Sequence, residues 1–389
     1  RKINIELNFT TMDTKQAKPA GMIESVRKQF EKAADVMNLN PNIRKILAQT
    51  NNEIVVHFPV KMDNGDVEIF TGYRVQHNNA LGPYKGGLRY HPNIELDDAK
   101  ALAIWMTWKT SLAGLPYGGG KGGIQLDPSK YSTAELERIT RRFTYALGDN
   151  IGPEYDIPAP DVNTNAQIMA WIADTYMSQK APVERSKYAH VVTGKPVNSG
   201  GLRGRDRATG FGVVVTLQAW ANWKNTTLEG KRYIVQGFGN VGQWAAVFMK
   251  EKGAIMTAVQ DASGTLYNPN GIDPDALLAY QKENKGLIAG FPGAQVIDAS
   301  ELFAVDCEIC IPAALGNQIT EANAAQVKAS VIAEGANGPT TPQAEEILRE
   351  KGVDIIPDIL CNSGGVIGSY FEWLQNRNGE IWEFEDVIT

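Results

Sequence analysis

Apolar residues recur at helical spacing in four stretches of the first half of the chain. Ile23, Val26, Phe30, Ala33 and Met37 fall three or four apart with charges between them, which predicts an amphipathic helix over Met22 to Met37. Leu96 to Leu112, Thr133 to Leu147 and Asn165 to Met177 repeat the pattern, and Glu95, Asp97 and Asp98 suit the positive end of the second helix's dipole. Ile54 to Val60 and Val67 to Phe70 read as antiparallel strands joined at Asp63-Asn64-Gly65-Asp66, where glycine tolerates positive φ. The glycine-rich runs Gly82 to Pro92 and Pro116 to Gly123, and the proline-rich run Pro153 to Pro160, read as loops.

The second half changes character. Pro182 to Arg207 is polar and holds Gly194, Pro196, Gly200, Gly201 and Gly204, the composition of a connection between domains, so a boundary is expected near residue 190. Beyond it, short apolar runs alternate with helices. Tyr233 to Val235, Ile255 to Val259, Glu308 to Ile311, Val331 to Ala333 and Val353 to Ile356 read as buried parallel strands of an α/β, doubly wound fold.

Composition narrows the options. Hydrophobic residues at 43% and charged residues at 21% of 389 describe an ordinary globular chain, and a net charge of −6 offers no summed positive field for nucleic acid. No apolar run approaches the roughly 18 residues that a membrane-spanning helix needs. The three cysteines cannot build a disulfide framework, which suits a reducing compartment and hence the cytoplasm. Cys307 and Cys310 stand three apart in a predicted strand, on opposite faces, and read as buried structural thiols. His57, His77, His91 and His190 show no metal-ligand spacing, so no metal site is expected. The first residue is Arg rather than Met, and either end is expected to be incomplete.

Two features carry chemistry. Gly237-Phe238-Gly239-Asn240-Val241-Gly242 follows a strand and opens a helix, so backbone N–H groups and the helix dipole can hold a pyrophosphate; this is a dinucleotide-binding turn of Rossmann type. Asp261 ends the next strand at the spacing from which a carboxylate accepts from the ribose 2′-hydroxyl of NAD, while Lys231 and Arg232 leave NADP open. The other feature is a set of lysines. Lys85 lies among glycines, Lys109 falls at helical steps from Leu102, Trp105 and Leu112 on a predicted buried face, and Lys121 is surrounded by five glycines. The last departs from a Walker loop, because Leu115 stands at the leading glycine position and Gly122 replaces the hydroxyl residue. Ammonium groups crowded into a dry cleft lose basicity through burial and mutual repulsion, so one of them can serve in proton transfer near neutrality. Asp161, after Pro158 and Pro160, is either a positioned proton acceptor or the cap of the following helix. Arg205, in the run Arg203, Arg205, Arg207, is either a solvated hinge residue or part of an anionic site.

Gly82 to Pro92, Trp108 to Gly123, Pro158 to Thr164, Gly204 to Gly210, Gly237 to Gly242 and Cys361 to Trp373, in this order, resemble the glutamate dehydrogenases of the Glu/Leu/Phe/Val amino-acid dehydrogenase superfamily. The resemblance implies reversible NAD(P)-dependent oxidative deamination of L-glutamate to 2-oxoglutarate and ammonium. It implies that Lys121 polarises the carbonyl or carbinolamine oxygen through water and that Asp161 exchanges protons with the amino nitrogen. Lys109 would hold the α-carboxylate, and Lys85 and Ser369 the side-chain carboxylate. Thr209, Asn337 and Asn362 would contact the nicotinamide half. It further implies a substrate-binding and oligomerisation domain with a mixed sheet (1–190), a Rossmann domain (191–362), a cleft between them, a C-terminal helix (363–389) returning to the first domain, and a homohexamer. Met106, Ser363 and Gly368 depart from common family residues at the pocket wall, and the family chain usually continues past Thr389. A leucine-, valine- or phenylalanine-type dehydrogenase, or a non-catalytic dinucleotide-binding regulator, are the alternatives.

Overall fold

The structure is a computed structural model that describes residues 22–388; Arg1 and Thr389, the outer limits of the first and last predicted segments, lie outside the described residues. The chain divides into two compact units, Arg1–Gln49 and Thr50–Thr389. In the first, helix α1 (Met22–Val36) buries Ile23, Val26, Phe30 and Ala34. Ala33 and Met37, expected on that face, are exposed, because the 3.6-residue period keeps position 34 in phase with 30 and the helix stops before 37. Helix α2 (Pro41–Leu47) was not evident from the pattern; Asn40 caps it by accepting from Asn42 N at 2.9 Å, and Arg44 reaches Glu31 and Asp35 of α1.

The second unit opens on the expected hairpin, β1 (Asn52–Lys61) and β2 (Val67–Asn78), which pair antiparallel. β2 runs past Phe70 because Arg74, Gln76 and His77 are buried polar residues that hide the strand's alternation. Three expected loops are strands instead: β3 (Tyr84–Tyr90), β4 (Gly119–Ile124) and β5 (Asp156–Pro160). Together they make a mixed sheet in the order β1-β2-β4-β3-β5. Glycine persists in β4 because helix α3 (Leu96–Leu112) lies directly against it; a Cβ on Gly119 would stand 2.4 Å from Ala103 O. Prolines persist in β5 because it is an edge strand, paired only with β3, where a missing N–H is tolerated.

Helix α3 has the predicted bounds, and Glu95 and Asp98 close a capping box at its start. Its buried face differs from expectation: Leu112 is 50% exposed, and the buried positions include Ala99, Leu102, Ala103 and Ile104. Helices α4 (Thr133–Leu147) and α5 (Ala166–Ser178) follow, and Phe58, Phe70, Phe143 and Ile172 join them to the sheet in one core.

Helix α6 (Arg205–Trp223) leads into the second sheet, made of β6 (Arg232–Gln236), β7 (Ile255–Asp261), β8 (Gly264–Tyr267), β9 (Gln295–Ile297), β10 (Ile309–Pro312), β11 (Val331–Ala333) and β12 (Asp354–Ile356). The five strands read as parallel are parallel, in the order β12-β11-β10-β6-β7, and β8 and β9 extend the β7 edge antiparallel. Both faces are covered. On one, α6 and α7 (Asn240–Glu251) pack Leu217 and Phe248 with Tyr233, Val235 and Ile309; the other holds Ile234, Cys310, Ile332 and Leu348. Further helices are α8 (Pro274–Glu283), α9 (Pro342–Glu350), α10 (Asp358–Cys361), α11 (Gly364–Asn378) and α12 (Phe384–Ile388). Cys307 corrects one expectation: it precedes β10 rather than lying in it, and both it and Cys310 belong to one apolar cluster instead of facing apart. All three cysteines are buried and unpaired. Among the described residues no helix is long and apolar enough to cross a membrane, and no group of three His, Cys, Asp or Glu could hold a metal ion.

Candidate active site

The chain reverses its winding between β6 and β10, the place where an open parallel sheet leaves a crevice at its carboxyl edge. The dinucleotide-binding turn is built there. Gly237 has φ of +90°, and a Cβ on Gly242 would lie 1.8 Å from Gly237 O, so only glycine lets α7 approach the strand this closely. A Cβ on Gly239 would meet nothing within 4 Å, and no side chain caps α7 there. Gly239 and Asn240 are exposed, so the first amides of α7 are open to a diphosphate and the residues present fit one. Asp261 ends β7 as expected. Its carboxylate accepts from Ser263 N at 2.7 Å and Ile288 N at 3.0 Å, which pins it in place.

A cleft of about 310 Å³ collects the remaining candidates. Lys85, Lys109, Lys121, Asp161, Arg205, Ser369, Thr209, Asn337, Asn362 and Val241 all line it. The first sheet's glycines explain the meeting of Lys121 and Asp161. β3 lies between β4 and β5, and its Gly87 is so close to Asp161 that an added Cβ would stand 2.6 Å from the aspartate Cβ. Across this bare strand Lys121 Nζ, from β4, reaches Asp161 Oδ2, just past β5, at 2.9 Å. Arg89 Nε donates to the same oxygen at 3.1 Å. Asp161 does not cap α5; Asn165 does, accepting from Ile168 N at 3.1 Å.

Electrostatics sort these groups. Burial alone would raise the Asp161 carboxyl, but Lys121 and Arg89 outweigh it and hold it down at about 2. Burial lowers Lys121 from the ordinary lysine range; Asp161 opposes the shift, and Arg89 and Arg74 add to it. Lys85, 1% exposed, lies well below that range through burial and then Arg205 and Arg74. Burial brings Lys109 to about 8, with Asp358 opposing and Lys121 adding. The mutual repulsion expected among lysines therefore holds for Lys109, whereas arginines do this work around Lys121 and Lys85.

The cleft's two banks touch. Lys109 Nζ donates to Asn362 Oδ1 at 2.5 Å and to Asn337 Oδ1 at 3.5 Å, and Asn362 Nδ2 donates to Asn337 Oδ1 at 3.0 Å. Arg205 Nη2 donates to Ser369 Oγ at 3.2 Å, and Lys85 Nζ donates to Ile157 O at 3.2 Å. Of the wall departures, Met106 lines the cleft, whereas Ser363 donates its hydroxyl to Leu360 O at 2.7 Å and a Cβ on Gly368 would pack on Ala208 at 3.3 Å.

Residue-by-residue reading missed three contributors. Arg89 was visible only as part of its glycine-rich block, and Asp358 gave no motif. The third is the fully buried Arg74–Asp156 pair, in which Arg74 Nε donates to Asp156 Oδ2 at 2.8 Å and Nη1 to Gly86 O at 3.1 Å, anchoring the glycine segment from behind.

The profile of the "Glu/Leu/Phe/Val dehydrogenase, dimerisation domain" matches residues 50–178, and that of "Glutamate/Leucine/Phenylalanine/Valine dehydrogenase" matches residues 200–389. Glutamate dehydrogenase of Thermotoga maritima is 48% identical, over 94% of this chain and 87% of its own. The NAD-specific glutamate dehydrogenase of Staphylococcus aureus is 43% identical, over 94% and 87%. The crystal structure of the hetero-hexameric glutamate dehydrogenase from Thermus thermophilus, in its Leu bound form, superposes with a TM-score of 0.86 at 37% identity, covering 95% of this chain and 87% of that one. With two matching profiles, high identity and the same fold, the chain belongs to the glutamate/leucine/phenylalanine/valine dehydrogenase family.

Proposed function

We propose that this chain catalyses the reversible oxidative deamination of L-glutamate to 2-oxoglutarate and ammonium, with NAD as the hydride acceptor. The observation that carries the reading is the 2.9 Å contact between Lys121 Nζ and Asp161 Oδ2 in a cleft that also presents Lys85, Lys109, Arg205 and Ser369. Lys85, Ser369 and Arg205 take the side-chain carboxylate, and Lys109 takes the α-carboxylate. An aliphatic side chain in that subsite would leave buried cations unpaired, which disfavours leucine or valine. Asp161, ionised throughout the neutral range, accepts a proton from the α-ammonium and later returns it to the departing nitrogen. Lys121, weakened as an ammonium by burial, acts through a water on the oxygen that adds at Cα and becomes the 2-oxo oxygen. The nicotinamide supplies the chemistry of accepting hydride from Cα. Thr209, Asn337 and Asn362 would hold its half of the cofactor, Gly237, Gly239, Asn240, Val241 and Gly242 its diphosphate, and Asp261 its ribose.

The fixed Asp261 carboxylate supports NAD over NADP, since it accepts from a 2′-hydroxyl and repels a 2′-phosphate; the name of the Staphylococcus relative agrees. In this reading 1–190 would be the substrate and oligomerisation domain, 191–362 the dinucleotide domain and 363–389 the returning segment. The return is supported by Trp373 of α11, which donates to Pro153 O at 2.8 Å. Exposed Val67 and Ile69 on β2, beside the edge strand β1, support assembly of like subunits, which we place at a homohexamer. Buried unpaired thiols suit the cytoplasm.

Lys121→Ala tests the chemistry: reduced-cofactor binding, read by fluorescence, stays near wild type while turnover disappears. Equal loss of both would make Lys121 structural and sink the mechanism. Assays of NAD against NADP with glutamate, leucine and valine decide cofactor and substrate.

A further inference from the structure

Glu372 belongs to none of the roles above, yet two cations and two backbone amides converge on it. It lies on α11 and is fully buried. Its Oε1 accepts from Lys195 Nζ at 2.9 Å and from Lys195 N at 3.2 Å. Its Oε2 accepts from Gly194 N at 2.7 Å and faces Arg205 Nε at 3.9 Å. That guanidinium nitrogen is buried without a hydrogen-bond partner, so the carboxylate beside it is what balances it. The other end of the same guanidinium, Nη2, donates to Ser369 Oγ one helical turn before Glu372. Gly194 fits between these parts only as glycine: a Cβ there would stand 2.4 Å from Pro160 Cδ and 3.4 Å from Arg205 Cζ. The carboxylate thus holds the 194–195 segment against α11 and stands behind the guanidinium that reaches into the cleft.

We infer that Glu372 is a positioning residue for substrate selection: it fixes Arg205 against Ser369 and supplies the negative charge that lets Arg205 and Lys85 share one carboxylate subsite. The inference rests on the reading of Lys85, Arg205 and Ser369 as that subsite. The physical reason is a count of charges. Lys85 is surrounded by Arg205 and Arg74, and Arg74 is already matched by Asp156. Glu372 is the carboxylate left to offset Arg205, and its loss adds to the repulsion that, after burial, weakens the Lys85 ammonium. With Glu372 neutral, the subsite would hold a guanidinium without its rear contact beside a more strongly repelled Lys85 ammonium, a poorer receptor for a carboxylate. A methyl group reaching the same place would lose nothing comparable.

The test compares L-glutamate with L-norvaline, whose side chain has the same reach and no charge. Glu372→Gln keeps the side-chain shape but strands Lys195, which is 3% exposed at its side chain, so stability alone can suffer. The double variant Lys195→Met with Glu372→Gln removes both members of that pair and carries the test if the single variant does not fold. We expect both variants to raise the glutamate KM about tenfold or more with kcat within about threefold, and to leave norvaline kcat/KM within about threefold. A double variant with a wild-type or lowered glutamate KM, or equal losses for the two substrates, overturns the inference. Lys85→Leu, run in parallel, reports on the underlying reading alone: if it does not shift preference from glutamate toward norvaline, the subsite itself is misassigned.

Discussion

With its ammonium brought to about 8 by burial, Lys109 loses its charge close to neutral pH rather than far above it. A depressed lysine holds a carboxylate only below its own value, so the kcat/KM for glutamate should fall as pH rises from about 8. Lys109→Arg, charged at every such pH, should move that limb upward; an identical profile would separate Lys109 from the α-carboxylate. Asp161 runs the other way. Its carboxyl is held at about 2, so its ion pairs stabilise the fold above the ordinary aspartate range and are lost as pH falls toward 2, a contribution of roughly 2 kcal/mol. Asp161→Asn should lower kcat by roughly 10²–10⁴ with a small change in KM, measured at neutral pH; a loss confined to KM would reassign the residue to binding. Lys85, Lys121 and Asp161 were legible because the sequence surrounds them with glycine and proline, residues that cannot hide a charge, and Lys109 because of its helical steps from Leu102 and Trp105. Arg74 and Asp156 were not, since the partners lie 82 positions apart and neither has a distinctive neighbour.

Among the elements, the capped helices α3, α4 and α5 could be read almost to the residue, whereas the shorter capped α2, α8 and α9 escaped. Ser132 and Glu135 close a capping box before α4, and the predicted bounds Thr133 to Leu147 hold. Strands β3, β4 and β5 escaped because their composition is that of turns. They are strands for a reason outside local propensity: α3 and the neighbouring strands press so closely that only glycine fits, and β5 sits at an edge that accepts proline. Gly87→Ala is therefore expected to remove most turnover while the protein stays folded, because its Cβ pushes into Asp161. Circular dichroism alongside kinetics checks this; a fully active variant would show that the bare surface of β3 is not what lets Lys121 and Asp161 meet. In the core beneath the same sheet, Phe143 is fully buried between Phe58 and the Gly72 backbone. Phe143→Ala should cost about 3–5 kcal/mol in denaturant unfolding, and a change under about 1 kcal/mol would mean the site collapses around the vacancy.

For the whole molecule, the two sheets differ in how much of them the chain announces. Five parallel strands of the doubly wound one could be named in advance, because strands buried on both faces are apolar throughout, though the antiparallel β8 and β9 escaped, and the glycine turn after β6 marks where a ligand enters. The mixed sheet could not, and neither could the way α11 crosses to reach Pro153 through Trp373, a contact between positions 220 apart that no local pattern encodes. The cleft needs both parts, which is why its lysines and Asp161 could be picked out from the sequence and given roles by the family resemblance, but its geometry became readable only through the fold.

Lys109 Nζ already donates to Asn362 and Asn337 across the cleft. An arriving carboxylate must win the ammonium from those amides, and whatever engages the amides from the dinucleotide side sets the ammonium free. The two ligands then help each other by equal factors, as any thermodynamic cycle demands. Glutarate, a dicarboxylate without an amino group, should tighten reduced-cofactor binding as much as the cofactor tightens glutarate, and Asn362→Ala should uncouple the two.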